Sequence, residues 1–234
     1  MINRRDLIKG SVLLSLSSCV GLKPNFSSLR KEIKGVLENI VSFKTRILYG
    51  RKDKPSERIL NGEGIVVNDY ILTVNHIVSL YTINERMGSM NLRIAINKIS
   101  EVTTMGDVLE EVVKNRKNDY AIFKLPKDFR RSNYKVRMGD DDKLDILDRL
   151  YLVGDAFDLE FIVRPDYLGK REEIRIQGRH DVSIGKVFTG RIVQGDSGSP
   201  ILNSEGELIG LAAGMNQAYS LFTPINKYKK YLKG

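Results

Sequence analysis

The segment VQGDSGSP, residues 193–200, sets one serine between glycines in a run of turn-forming residues. It could be an ordinary surface turn, or it could hold Ser197 for nucleophilic attack. A serine hydroxyl is a weak nucleophile at neutral pH, so attack requires a base to take its proton and an acid to orient that base. It also requires hydrogen-bond donors for the oxyanion that forms.

The chain offers two candidates for the base, because His76 and His180 are its only histidines. His76 follows the apolar run YILTV, where the chain is expected to leave a strand. His180 lies beside Asp181 in GRHDVS, and neighbours on a strand point to opposite faces, so we interpret it as a loop or surface residue. Asp119 directly precedes the apolar run YAIFKL, so its carboxylate can lie at the edge of a sheet.

Each of these residues is ambiguous alone, and Asp119 alone would be interpreted as a surface acid. Together, His76, Asp119 and Ser197 follow the chain order of chymotrypsin-type enzymes, which differs from the orders in subtilisin-type and α/β-hydrolase enzymes. Both intervals are long enough to contain several strands. The serine segment is not a nucleophile elbow, because Ser199 stands where G-x-S-x-G requires its second glycine.

Short apolar runs separated by turn residues dominate the chain after residue 40, which predicts an all-β fold built as a sandwich or as barrels. Asn68-Asp69 is expected to join two strands as a hairpin, and the polar segment 125–137 to cross between two halves. Helices are predicted around residues 28–40 and at the C-terminal end. The expected strands are NIVSFKTRILYG, GIVV, YILTV, LRIAI, YAIFKL, LYLVG, EFIVR, EIRIQG, GKVFTGRIV, SPILN, LIGLAAG and YSLFTPI.

Three segments resemble the histidine, aspartate and serine segments of trypsin-like (chymotrypsin-fold) serine proteases: GEGIVVNDYILTVNHIV, NDYAIFKLP and GDSGSPILNSEGELIGL. The nearest branch is the disulfide-free bacterial one, and MGDDDKLDILDRLYLVGDAF resembles the start of its second barrel. The resemblance covers residues 38–230. It implies two six-stranded antiparallel β-barrels, at about 38–125 and 136–226, with an active site in the cleft between them.

The resemblance also implies a role for each site residue. Ser197 would be the nucleophile, His76 the general base and Asp119 its orienting acid, while the N–H groups of Gly195 and Ser197 would form the oxyanion hole. The implied function is hydrolysis of peptide bonds in a protein or peptide substrate through an acyl-enzyme, without metal or organic cofactor. Two alternatives stay open: a non-catalytic binding protein on the same fold, and an esterase-like hydrolase with the same triad.

The specificity pocket is predicted from the same resemblance. Arg191, six residues before Ser197, stands where the family has the base of the pocket. An arginine there would favour an acidic substrate residue, although arginine side chains usually lie at the surface. The walls are expected from Ala212, Ala213, Gly214 and the strand that contains Ser220.

Asp196 departs from the family pattern. In trypsin-like zymogens this aspartate pairs with a new N-terminus that begins Ile-Val-Gly-Gly, and this chain contains no such run. Asp196 must therefore face solvent or pair with a side chain that the sequence does not identify.

The first residues, MINRRDLIKGSVLLSLSSC, have the basic start, apolar stretch and small residues of a signal peptide. Residues 1–18 are expected to be that peptide. LSSC resembles a bacterial lipobox, so Cys19 would carry a lipid, and Arg4-Arg5 resembles a twin-arginine export signal. Residues 19–37 would form a spacer with a short helix, and the protein would lie in the bacterial cell envelope, anchored to a membrane.

Composition excludes or disfavours several other kinds of site and function. The single cysteine excludes an intramolecular disulfide and a paired metal-thiolate site. The formal net charge is +9, but basic residues are spread along the chain among acids, so specific nucleic-acid binding is not expected. The sequence leaves the oligomeric state open.

Overall fold

The computed structural model describes residues 26–51, 54–78, 90–96, 100–102, 109–127, 129, 131–154, 162–177, 182–215 and 219–232. The predicted signal peptide and Cys19 lie outside these ranges, and so does His180. Within them, antiparallel strands form two units, one in each half of the chain.

The first unit is a seven-stranded sheet in the order β5-β4-β1-β2-β3-β7-β6. Its longest contact is the hairpin of β1 and β2, whose register runs from Ile40 opposite Ile65 to Arg51 opposite Lys54. The strands are β1 (Ile40–Arg51), β2 (Lys54–Val67), β3 (Tyr70–Thr73), β4 (Met90–Ile96), β5 (Ser100–Val102), β6 (Glu111–Asn115) and β7 (Tyr120–Lys124).

The second unit is a closed six-stranded barrel in the order β10-β13-β12-β11-β8-β9. Two separate strands were expected at 160–164 and 173–178, but their described residues, 162–164 and 173–177, belong to one long strand, β9. The strands are β8 (Arg149–Gly154), β9 (Ile162–Gln177), β10 (Val182–Phe188), β11 (Pro200–Leu202), β12 (Leu208–Met215) and β13 (Ser220–Pro224).

The all-β class and the second six-stranded barrel are confirmed, whereas the first half has more strands than predicted. The sequence missed β6, whose side chains are mostly exposed and polar, because a strand at the edge of a sheet needs no buried apolar face. It also placed the start of β2 at GIVV, while the polar residues from Lys54 onward pair with β1. Cross-strand pairing, rather than local hydrophobicity, extends this strand.

The predicted hairpin at Asn68-Asp69 is confirmed, with Val67 opposite Tyr70 at its closing pair. Asn68 has a φ of 53°, in the left-handed region. Asparagine tolerates this region better than most residues, which makes it suited to a tight turn.

In the described part of the chain, three α-helices lie beside the sheets: α1 (Phe26–Leu37), α2 (Asn75–Val78) and α3 (Asn226–Lys229). Helix α1 buries Leu29 and Val36, and the ring of Tyr134 packs so closely on Gly35 that a Cβ there would lie 2.2 Å from it. Glycine therefore stands inside this helix for packing, despite its low helix propensity. Helix α3 is shorter than the predicted closing helix and buries Tyr228.

The apolar core has two parts. One lies inside the closed barrel and includes Leu150, Phe188 and Phe222. The other joins side chains of the first sheet, such as Phe43, with side chains of the second unit, such as Leu211. The two units therefore meet across a buried apolar interface, which fixes the relative positions of residues at its rim. Among the described residues, no helix has the length and apolarity needed to cross a membrane.

Candidate active site

His76 lies in the short helix α2, directly after β3. Its neighbours Ile77 and Val78 are buried in the core, which fixes the turn against the first sheet. The main-chain N–H of His76 donates a hydrogen bond to Oδ1 of Asp119 at 2.9 Å. The backbone of the candidate base is therefore tied directly to the candidate acid.

Asp119 lies in the turn between β6 and β7, with a φ of 50°. This left-handed conformation is uncommon outside glycine, and aspartate and asparagine are the side chains that adopt it most readily. The turn is braced by Asn115, whose side-chain oxygen accepts the N–H of Asn118 at 3.0 Å, and by Thr223, whose hydroxyl donates to the Asp119 carbonyl at 3.3 Å. These contacts fix the backbone of the turn that carries the buried carboxylate, just before β7 begins.

The structure brings His76, Asp119 and Ser197 into one hydrogen-bonded series. Nδ1 of His76 lies 2.8 Å from Oδ2 of Asp119, and Nε2 lies 2.9 Å from Oγ of Ser197. With the Asp119 carboxylate as the acceptor, Nδ1 carries the ring proton and Nε2 accepts the serine hydroxyl. This is the tautomer that a general base requires.

Tyr228 is fully buried and lies near enough to Asp119 to be affected by its charge. Burial raises the pKa of its phenol well above the usual value, and the nearby Asp119 carboxylate acts in the same direction. Tyr228 therefore stays neutral, and its hydroxyl donates to the carbonyl of Thr73 at 3.1 Å. The tyrosine of helix α3 thus binds the end of β3, just before His76.

The loop that carries Ser197 is made of two tight turns. The N–H of Asp196 donates to the carbonyl of Val193 at 3.1 Å, with Gly195 at φ 103° in the third position, as in a type II turn. Gly198 has φ 87°, and a Cβ there would lie 1.7 Å from the carbonyl oxygen of Glu63. Both positions therefore require glycine.

The N–H groups of Gly195 and Ser197 have no protein acceptor among the described residues. The next two N–H groups do have acceptors: the N–H of Gly198 donates to the carbonyl of Ala212 at 2.7 Å, and the N–H of Ser199 donates to the carbonyl of Asp196 at 2.9 Å. Two donors on the serine loop are thus available to a ligand, and they are the pair that the family resemblance assigns to an oxyanion hole.

Asp196 is fully buried, and its partner is Arg164 on β9. Nη2 of Arg164 lies 2.5 Å from Oδ1 of Asp196, an ion pair without the alignment of a hydrogen bond. The other carboxylate oxygen accepts the N–H of Val193 at 2.6 Å. Of the two options from sequence, solvent is therefore wrong and a side-chain partner is correct. No local signal identified Arg164, because β9 is separated from the serine loop along the chain.

The predicted pocket residues lie on or beside β12 and β13. Ala212, Ala213 and Ser220 are buried, Gly214 is partly exposed and Arg191 is exposed. The Arg191 carbonyl accepts a hydrogen bond from Arg164 at 3.0 Å.

The pocket predicted from sequence did not include Ile192, the residue after Arg191. The side chain of Ile192 is buried, whereas that of Arg191 is exposed. The N–H of Ile192 donates to the hydroxyl of Ser220, a predicted pocket residue, at 3.0 Å. The charge-reading role of Arg191 stays a prediction. In the described part of the chain, no group of three or more His, Cys, Asp or Glu residues is arranged to hold a metal ion.

Comparison with known proteins gives the class to which this fold and site belong. Residues 62–211 match the family model of the trypsin-like peptidase domain. The match covers more than half of the chain, so the protein belongs to this family. No curated protein matches the sequence significantly.

Solved structures of two proteins share the fold. The HtrA-type protease AlgW, solved with a decapeptide, has a TM-score of 0.64 at 15% identity over 86% of this chain and 64% of its own. Its tripeptide complex has a TM-score of 0.60 at 15% identity, over 87% and 62%. Deg5 has a TM-score of 0.62 at 17% identity, over 89% and 94%. The chain thus spans less than two thirds of AlgW, and at these identities the likeness concerns the fold.

Proposed function

We propose that this protein is a serine endopeptidase that hydrolyses peptide bonds through an acyl-enzyme. One observation carries the proposal: His76 lies within hydrogen-bonding distance of both Ser197, at 2.9 Å, and Asp119, at 2.8 Å. Membership of the trypsin-like peptidase family supports the reaction class. Peptides bound in the AlgW structures support a peptide substrate.

In the first half of the reaction, Oγ of Ser197 attacks the peptide carbonyl carbon as its proton passes to Nε2 of His76. The N–H groups of Gly195 and Ser197 stabilise the oxyanion, and one such donor contributes about 2.7–4 kcal/mol. The Asp119 carboxylate stabilises the imidazolium and keeps its orientation. His76 then donates the proton to the leaving amine, the C–N bond breaks, and the acyl-enzyme remains.

In the second half, a water molecule attacks the acyl carbon while His76 removes one of its protons. The second tetrahedral intermediate uses the same two N–H donors. His76 returns the proton to Oγ of Ser197 as the ester bond breaks, which releases the carboxylate product and restores the free serine. His76 thus carries every transferred proton, while Asp119 keeps it oriented.

Covalent labelling tests the proposal directly. Purified wild-type protein should react with a fluorophosphonate probe, and Ser197→Ala should not. Asp119→Asn should keep the fold but lower kcat by about 10⁴-fold, because the wrong histidine tautomer is then favoured. A folded wild type that the probe does not label would instead indicate a binding protein. Hydrolysis of ester substrates but of no peptide in a library would indicate an esterase-like hydrolase.

We further propose that the protein is exported and anchored to a membrane of the bacterial cell envelope through a lipid on Cys19. The basic start, apolar stretch and LSSC motif of residues 1–19 support this. Metabolic labelling with a palmitate analogue should mark the wild type and miss Cys19→Ser. Equal signals from the two would refute lipidation.

A further inference from the structure

A carboxylate lies buried between the first sheet and the serine loop, and the mechanism above does not use it. Glu63, on β2, is 2% exposed. Its Oε2 accepts a hydrogen bond from the hydroxyl of Ser199 at 2.6 Å, and Ser199 is itself fully buried. Burying a carboxylate without hydrogen-bond donors costs free energy of folding. The Ser199 hydroxyl supplies one such donor to Glu63.

The backbone of Glu63 also holds the loop. Its N–H donates to the carbonyl of Ser197 at 2.7 Å, and its carbonyl accepts the hydroxyl of Thr73 at 2.6 Å. One residue of the first sheet therefore binds the nucleophile through its main chain and Ser199 through its side chain. Gly198, between the two, lies directly against the Glu63 carbonyl.

The second unit encloses the same contact. Gly154, at the end of β8, packs against it so closely that a Cβ there would lie 2.4 Å from Oγ of Ser199 and 3.1 Å from Oε2 of Glu63. The Glu63–Ser199 hydrogen bond thus lies where the first sheet, the closed barrel and the serine loop meet. It spans residues far apart in the chain, so it depends on how the two units pack.

We propose that Glu63 and Ser199 are a positioning pair, which orients Ser197 and the N–H donors beside it. The inference rests on the proposed peptidase function. Neither side chain is among the proposed reacting groups, and their effect passes through the backbone. Anchoring the Ser197 carbonyl on one side of Gly198 and the Ser199 hydroxyl on the other limits rotation of the loop. A displacement of about 1 Å in a catalytic group can cost about 100-fold in rate.

Kinetics on peptide substrate separate positioning from a merely structural role. Ser199→Ala should lower kcat by about 100-fold while KM changes little, since substrate-binding residues are untouched. The rate of fluorophosphonate labelling should fall in parallel. Glu63→Gln keeps an oxygen that can accept the Ser199 hydroxyl, so its kcat should exceed that of Glu63→Ala by about tenfold.

A double-mutant cycle tests whether the two side chains act together. Because Ser199→Ala and Glu63→Ala disrupt one contact, the double variant should be little slower than the slower single variant. Lys186→Met is the matched control, since it removes a buried ion pair elsewhere in the barrel. It should lower thermal stability without changing kcat below the unfolding transition.

The outcomes are distinct. If the wild type hydrolyses peptides and folded Ser199→Ala has the same kcat, the positioning pair is wrong although the peptidase proposal stands. Folded Glu63→Ala with the wild-type kcat would overturn the proposed positioning role in the same way. The Glu63 variant therefore decides the question if Ser199→Ala does not fold. A wild type that hydrolyses no peptide and is not labelled overturns both proposals.

Discussion

Arg164 places its guanidinium 2.5 Å from the carboxylate of Asp196, the residue directly before Ser197. Asp196 is completely buried, whereas the side chain of Arg164 is 27% exposed. In trypsin-like zymogens, the corresponding aspartate pairs with an N-terminus created by cleavage. Here an internal cation from β9 already neutralises Asp196, so this contact needs no cleavage of the chain.

The first prediction concerns this ion pair. Arg164→Met leaves the Asp196 carboxylate buried without a cation, and removing one partner of a buried pair costs about 3–5 kcal/mol. We expect a lower free energy of unfolding in urea and slower fluorophosphonate labelling of Ser197. Arg164→Lys keeps the positive charge, so it should recover part of the stability and part of the labelling rate. Recovery should be incomplete, because a single ammonium cannot reproduce the guanidinium contacts.

A double variant supplies the control for the pair. Asp196→Asn combined with Arg164→Met removes both charges, so its stability should exceed that of Arg164→Met alone. Wild-type stability and labelling in Arg164→Met would show that Asp196 does not depend on this partner.

The second prediction compares two glycines in left-handed conformations, Gly195 at φ 103° and Gly206 at φ 75°. Alanine at either position should destabilise the fold, by about 1–2 kcal/mol from backbone strain. Gly195→Ala should also lower kcat by about 10²–10³-fold, because it disturbs a proposed oxyanion donor. Gly206→Ala, which adds a clash with Glu32, should leave kcat unchanged. Equal kcat losses in both would contradict this role for Gly195.

The third prediction concerns Lys186, which is buried on β10 and lies 2.8 Å from the buried carboxylate of Asp141. The Asp141 carboxylate also accepts the N–H of Asn226 at 2.8 Å. Lys186→Met should cost about 3–5 kcal/mol in urea unfolding, because Asp141 stays buried without its cation. Lys143→Met, at an exposed pair with Asp140, should have no measurable effect. A stable Lys186→Met would show that Asp141 is satisfied by other donors.

The fourth prediction concerns substrate charge. If the exposed Arg191 guanidinium meets the substrate residue before the cleaved bond, we expect the wild type to favour Glu or Asp there and Arg191→Ser to lose that preference. Cleavage of a peptide library, read by mass spectrometry, measures it. An identical profile in the two proteins would exclude Arg191 from specificity.

The amino-acid sequence alone was sufficient to predict the features that depend on local residue patterns. Alternating apolar runs and turn residues predicted the all-β class, and Asn68-Asp69 predicted a hairpin, because strand and turn formation follow short-range preferences. The order of His76, Asp119 and Ser197 suggested one site. These residue types perform recognisable chemistry, so they can be proposed without coordinates.

The tertiary structure decided which distant residues support that site. Arg164 on β9 reaches Asp196 in the serine loop, and Glu63 reaches Ser199 across the interface between the two units. Neither contact has a local sequence signal, because each depends on strand register and on the packing of the first sheet against the barrel. A buried charge needs a partner, but only the folded chain determines which residue is close enough to be that partner.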